Sequence, residues 1–206
     1  MNDRLTALEN DIGFLKALAE EGRSPTLVGG SIMIAAGIIF GLASLGQWAL
    51  RNGLSPSFGV WAPPVIWIAA MVVFMVALAV ILRRLGPHKL GEGANRAIGV
   101  AWSSAGLAMF TLFVSAGIVA WRTGSDASLM MLCPIVLSVY GLCWSVAASL
   151  AGVGWMRLAA IGSFAAALVT ALMCNSPSLF LVYAAALAIL ALLPGVVMVR
   201  RARAQG

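Results

Sequence analysis

The stretch WAPPVIWIAAMVVFMVALAVIL, Trp61 to Leu82, contains no charged residue and is followed at once by Arg83 and Arg84. A helix needs roughly 20 residues to cross the hydrocarbon core of a bilayer. This run is long enough, and it offers no polar face at any helical position. A helix that is apolar all round belongs in lipid or in the middle of a large core. Composition decides between the two. Soluble domains carry about a quarter charged residues, whereas here 10% of 206 residues are charged and 62% are hydrophobic. The mean hydropathy is +1.00. Too few polar side chains exist to coat a water-facing surface, so lipid is the solvent for most of the chain.

Working outward, further charge-free runs lie at Leu27–Leu50, Ala97–Trp121, Ser128–Leu150, Leu158–Cys174 and Ser178–Val199. Between them come RNGLSPSFG, RRLGPHKLGEGANR, RTGSD, AGVGWMR and NSPS, rich in the residues that punctuate helices. The expectation is an all-α, polytopic membrane protein with six transmembrane helices over residues 27–199. Residues 1–26 are expected to form a short cytoplasmic amphipathic, coiled-coil-like helix, and residues 200–206 a basic cytoplasmic tail. The N-terminus is acidic and the first run is long enough to span, so that run is expected to stay as the first helix rather than act as a signal peptide.

The net charge of +6 would point a soluble protein toward nucleic acid. In a membrane protein it reads as an orientation signal, and no nucleic-acid partner is expected. Eleven of the thirteen Lys and Arg residues fall in the N-terminal segment, the second and fourth connections and the tail. Arg51 and Arg122 alone lie on the other side. By the positive-inside rule both termini are cytoplasmic. In a bacterium the membrane would be the inner one.

A faint internal similarity runs along the chain. SLGQWALRNG (44–53) and SAGIVAWRTG (115–124) share Ser, Gly, Ala, Arg and Gly in register, and the helices after them carry PVI at Pro64 and PIV at Pro134. Three helical hairpins would account for this, as would chance likeness among low-complexity apolar segments. Lipid offers little hydrophobic reason for helices to associate, so small residues that let backbones approach mark helix packing. Gly37 and Gly41 on the first span, Gly141, Ser145 and Ser149 on the fourth, and Gly162 and Ala166 on the fifth have that spacing. Trp48, Trp61, Trp67, Trp121 and Trp155 fall near span ends, where aromatic belts form. Pro194 lies within the sixth span and is expected to bend it.

No Asp, Glu, Lys, Arg or His lies inside any span. Intramembrane ionisable groups are the usual sign of proton relays and ion-coupled transport. His88 stands alone in a connection with only Glu92 near it, a poor metal site. No nucleophile elbow, zinc-protease motif or phosphate loop occurs. Neither an enzyme nor a cofactor is expected. Asp126 is read as the N-cap of the fourth helix. Cys133, Cys143 and Cys174 are read as free buried thiols.

That leaves the opening segment. Leu5, Leu8, Ile12, Leu15 and Ala19 are spaced 3, 4, 3, 4, a heptad seam of about two repeats. Five of the chain's seven acids flank it. It could lie on the membrane surface, fold against the basic second connection, or pair with another copy or another protein. Surface helices favour Lys and Arg on their polar face, whereas this one is net acidic. Tethering through a bundle raises effective concentration enough for a short seam to work. The functional expectation is a non-enzymatic scaffold, assembly or regulatory protein acting through residues 5–19. The alternative is an uncoupled transporter or channel for a small or apolar solute, lined by hydroxyls of the third and fourth spans.

Orientation has a direct test. In a cysteine-free background, an impermeant maleimide applied to intact cells should label Ser125→Cys and leave Gln205→Cys unlabelled.

Overall fold

The computed structural model describes residues 27–54, 59, 61–85 and 94–204. All regular structure among them is helical: α1 (Leu27–Arg51), α2 (Ala62–Leu85), α3 (Ala94–Thr123), α4 (Ala127–Met130), α5 (Leu132–Ala151), α6 (Gly154–Leu172), α7 (Leu179–Leu187), a π-helical segment (Ala188–Leu192) and α8 (Leu193–Ala204). Helices α4 and α5 together make the fourth span, and α7, the π segment and α8 make the sixth. Six helices are thus long and apolar enough to cross a membrane. The N-terminal segment with its heptad seam lies outside the described residues.

Short connections dictate antiparallel neighbours. Only Gly152 and Val153 separate α5 from α6. Gly152 takes φ 66° and donates its N–H to the Ala148 carbonyl at 3.0 Å, a left-handed helix end that glycine adopts without strain. So tight a turn lays α6 along α5, and this pair packs more extensively than any other. The other main contact is between the first and last spans, where α1 meets α7, the π segment and α8. Helix α2 packs on α1, and α3 packs on α4 and α5. Spans one and two, and three and four, therefore pair as hairpins. Spans five and six touch, but each packs more heavily elsewhere.

The core has two layers. One gathers Met33, Tyr140, Trp144, Ala147, Met156, Ala160, Ala191 and Met198, near the start of α1 and the end of α8. The other gathers Met130, Cys133, Leu137, Ala167, Leu179, Phe180, Tyr183 and Leu190, toward the opposite end. Four spans supply this core. Of the described residues of the other two spans, only Ala70 of α2 and Ala116 of α3 are buried. In every other span a third to a half of the most apolar stretch is buried.

Pro194 shapes the join between the two layers. It has no N–H, so the carbonyl four residues earlier, that of Leu190, loses its α-helical donor. The chain winds as a π-helix over Ala188–Leu192, just before the proline. A carbonyl left unpaired in a medium without water costs free energy. The indole N–H of Trp144 donates to the Leu190 carbonyl at 3.1 Å. Trp144 is buried to 1% exposure. One side chain of α5 thus satisfies the defect that proline creates in the last span.

Trp144→Phe should lower the stability of the purified protein by about 1–3 kcal/mol, the cost of orphaning a buried acceptor. In a Pro194→Ala background, where a backbone N–H is restored, the same change should cost clearly less. Thermal unfolding of the four proteins in one detergent completes the cycle. Equal costs in both backgrounds would mean that the carbonyl is not what Trp144 serves.

Candidate functional site

The small residues picked out from the sequence occupy three different environments. Gly37 lies against the last span: a Cβ there would sit 2.8 Å from the backbone nitrogen of Leu192. Gly30 and Gly195 meet in the same seam, a Cβ on Gly195 falling 2.8 Å from the Gly30 carbonyl oxygen. Only glycine permits backbones to approach so closely. Gly41, one turn beyond Gly37, is buried, yet a Cβ would meet nothing within 4 Å. On α5, Gly141 makes room for the Phe164 ring, 2.7 Å from where a Cβ would be. Gly162 faces Leu190, and Ala166 packs half-buried against the second core layer. Ser145 is half-buried, Ser149 is exposed, and their hydroxyls donate to the carbonyls of Gly141 (2.8 Å) and Ser145 (2.9 Å).

Polar chemistry gathers at two places. At the end formed by the close of α1 and the starts of α4 and α7, the Arg51 guanidinium donates to the Asp126 carboxylate. It also lies 5.4 Å from the centroid of the Phe180 ring and 3.9 Å from the Met130 sulfur. The Asn52 amide donates to the carbonyls of Trp48 (2.9 Å) and Pro177 (3.3 Å). Ser128 donates across to the Ala116 carbonyl of α3 at 3.0 Å. Together these clasp the first, third, fourth and sixth spans at one end. Asp126 was expected to cap the fourth helix, and here the expectation fails. Its side chain makes no cap hydrogen bond. The carboxylate turns to Arg51, and the Ala127 N–H instead donates to the Ser125 hydroxyl at 3.3 Å.

At the opposite end, between α5 and α6, a cavity of about 260 Å³ is lined by Ser145, Ser149, Arg157, Ile161 and Phe164 along with two alanines. Arg157, Ser149 and Ile161 are exposed, so the cavity opens sideways rather than into the bundle. Close by, Trp102 of α3 meets Tyr140 and Trp144 edge-on at 5.3 and 5.5 Å, and Trp144 meets Trp155 at 5.6 Å. The Arg201 guanidinium lies 5.9 Å from the Trp155 ring centroid. This chain of aromatic contacts links α3, α5, α6 and α8. Trp61 and Trp121 are exposed at span ends, as belt residues are. Trp48, Trp67 and Trp155 instead pack within the protein.

Most buried hydroxyls are satisfied locally. Ser44, Ser163 and Thr170 donate to carbonyls one turn back at 2.7–2.9 Å. Gln47 is the exception, its buried amide oxygen having no partner among the described residues. Cys133, Cys143 and Cys174 are free thiols. Among the described residues no three His, Cys, Asp or Glu side chains cluster as a metal site would require. His88 and Glu92 lie outside them. The third-span hydroxyls Ser103, Ser104, Thr111 and Ser115 are all exposed on α3, and none lines the Arg157 cavity.

No known protein family, curated protein or solved structure matches the chain.

The glycines separate by substitution. Gly37→Ala should destabilise by about 1–3 kcal/mol through overpacking. Gly41→Ala, with open space around it, should be neutral or stabilise by a few tenths up to about 1 kcal/mol from helix propensity. Unfolding midpoints of the two variants in the same detergent give the comparison, and a reversed order would contradict the contact described.

Proposed function

We propose that this chain is a non-enzymatic integral membrane scaffold that assembles with copies of itself. The observation that carries the reading is the outward face of α3. Val100, Ser104, Leu107, Thr111, Val114 and Ile118 follow one another at spacings of 4, 3, 4, 3 and 4, and all are exposed. That is the seam geometry of paired helices, with hydroxyls among the apolar residues of the kind that bond across helices in lipid. A span carrying one fully buried residue among those described has packing capacity left to use. The seam Leu5, Leu8, Ile12, Leu15 and Ala19 has the same spacing, and joining it to the bundle raises its effective concentration in an assembly. Both termini are assigned to the cytoplasm by the basic residues, and in a bacterial cell the membrane is the inner one.

The alternative is an uncoupled path for a small or apolar solute. It has less support, because the hydroxyls invoked for it are divided between the outer face of α3 and the groove between α5 and α6. Flux in proteoliposomes that is lost in Ser104→Leu or Ser145→Leu would favour it.

Protein mass in nanodiscs, corrected for bound lipid, tests the assembly reading. Full-length protein should be oligomeric, and deletion of residues 2–22 should lower the mass toward one copy. A full-length monomer would overturn the proposal.

A further inference from the structure

In the cavity between α5 and α6 a cation, hydroxyl oxygens and apolar walls converge. Arg157 is the fourth residue of α6, two positions after Trp155. Of the acids in the chain only Asp126 is among the described residues, and it is engaged by Arg51 at the other end of the bundle. The Arg157 guanidinium therefore presents its donors with no described carboxylate to receive them. Guanidinium geometry favours two-pronged binding of phosphate or carboxylate.

The hydroxyls add a second requirement. Ser145 and Ser149 have committed their protons to carbonyls of their own helix. A hydroxyl has one donor and two acceptor lone pairs, so what these two offer a ligand is acceptance alone. The groove thus asks for an anion at Arg157 and a hydrogen-bond donor farther along. Ile161 and Phe164 form an apolar wall that is 65% and 39% exposed. Phe164 reaches the groove because Gly141 leaves room for its ring. A cavity of about 260 Å³ suits a head group rather than a whole lipid, and its sideways opening would let acyl chains pass into the bilayer beside Ile161.

We propose that this groove binds phosphatidylglycerol from the adjoining leaflet. The phosphodiester sits on Arg157, and the glycerol hydroxyls of the head group donate to the Ser145 and Ser149 oxygens. Choline head groups have no such donor. An ethanolamine ammonium has donors, but it would bring a second positive charge close to Arg157. Phosphatidylglycerol meets both demands. Free inorganic phosphate shares the anion chemistry and gains nothing from the apolar wall.

The test is native mass spectrometry of the full-length protein titrated separately with phosphatidylglycerol, phosphatidylcholine and inorganic phosphate. Phosphatidylglycerol should bind at one preferred site, more tightly than phosphatidylcholine. Arg157→Gln should weaken it about fivefold, the worth of one interfacial cation. Arg157→Lys, which keeps the charge and loses the two-pronged geometry, should fall between the wild type and Arg157→Gln, and Arg84→Gln, at the end of α2, should leave the affinity unchanged. Ser149→Val should reduce the preference for phosphatidylglycerol over phosphatidylcholine. Both Arg157 and Ser149 are exposed, so these changes leave the core intact, and an unaltered unfolding midpoint verifies it. Equal binding of the two lipids would overturn the proposal. So would equal losses in Arg157→Gln and Arg84→Gln, which would make the effect one of general surface charge. Displacement of the lipid by inorganic phosphate would identify a simple anion site instead.

Discussion

The carbonyl of Leu190 is the constraint around which the bundle is arranged. Proline at position 194 removes its helical donor, and lipid provides no water to replace it. Trp144 supplies the missing N–H from α5. That bond fixes the fourth span against the sixth at the depth where the two core layers meet. It also places a bulky indole at the centre, and the packing of Trp102 and Trp155 around it follows. On the other side of the sixth span, Gly30, Gly37 and Gly195 bring α1 into backbone contact. The last span is therefore held between a polar bond and a close-packed glycine seam, two of the few strong devices available where hydrophobic burial does little to drive association.

The ends of the bundle use different chemistry. Around Arg51, an ion pair with Asp126 is reinforced by the Phe180 ring and by the Asn52 amide bonds. Asp126 is 59% exposed, so the pair itself contributes at most about 1 kcal/mol. Its larger effect is geometric, because three separate spans end within reach of one guanidinium. At the opposite end, aromatic edges and faces do the linking, and the cations Arg157 and Arg201 stand at the rim. An excess of cations at one end with aromatics beneath them matches what a lipid head-group layer accommodates.

How much of this was legible in the sequence depends on the range of the interaction. The spans were readable because a charge-free run of crossing length has one stable environment. The α5–α6 pairing was implicit in the short turn at Gly152. The break in the sixth span was readable from Pro194, and the orphaned carbonyl at Leu190 follows from it by counting back four residues. The identity of the donor did not, since nothing local distinguishes Trp144 from the tryptophans assigned to a belt. The same limit explains Asp126: capping is a local pattern, whereas its partner Arg51 lies 75 residues away. Gly37 and Gly41 looked alike by spacing, and only the placement of the last span separates them. The groove at Arg157 is not legible in the sequence, because Arg157 joins Ser145 and Ser149 only once the Gly152 turn lays α6 beside α5.

A π segment beside a proline invites the reading of a hinge, since such bulges often mark sites of movement. The packing on either side argues for a fixed joint instead. Helix α7 is held by Leu179, Phe180 and Tyr183, all buried in one core layer. Helix α8 is held by Gly195 against the α1 backbone and by Met198 in the other layer. Rotating either arm would break the Trp144 bond and drive backbone into backbone at Gly30. The π winding is better understood as the correction that lets both arms keep their contacts across a proline. Helices α2 and α3 are attached to this core through fewer contacts, through Phe74 and Trp67 in the first case and through Trp102 and Ala116 in the second. The proline joint therefore sits inside a four-span core packed on both sides of it, while the second and third spans bury almost none of their apolar surface among the described residues.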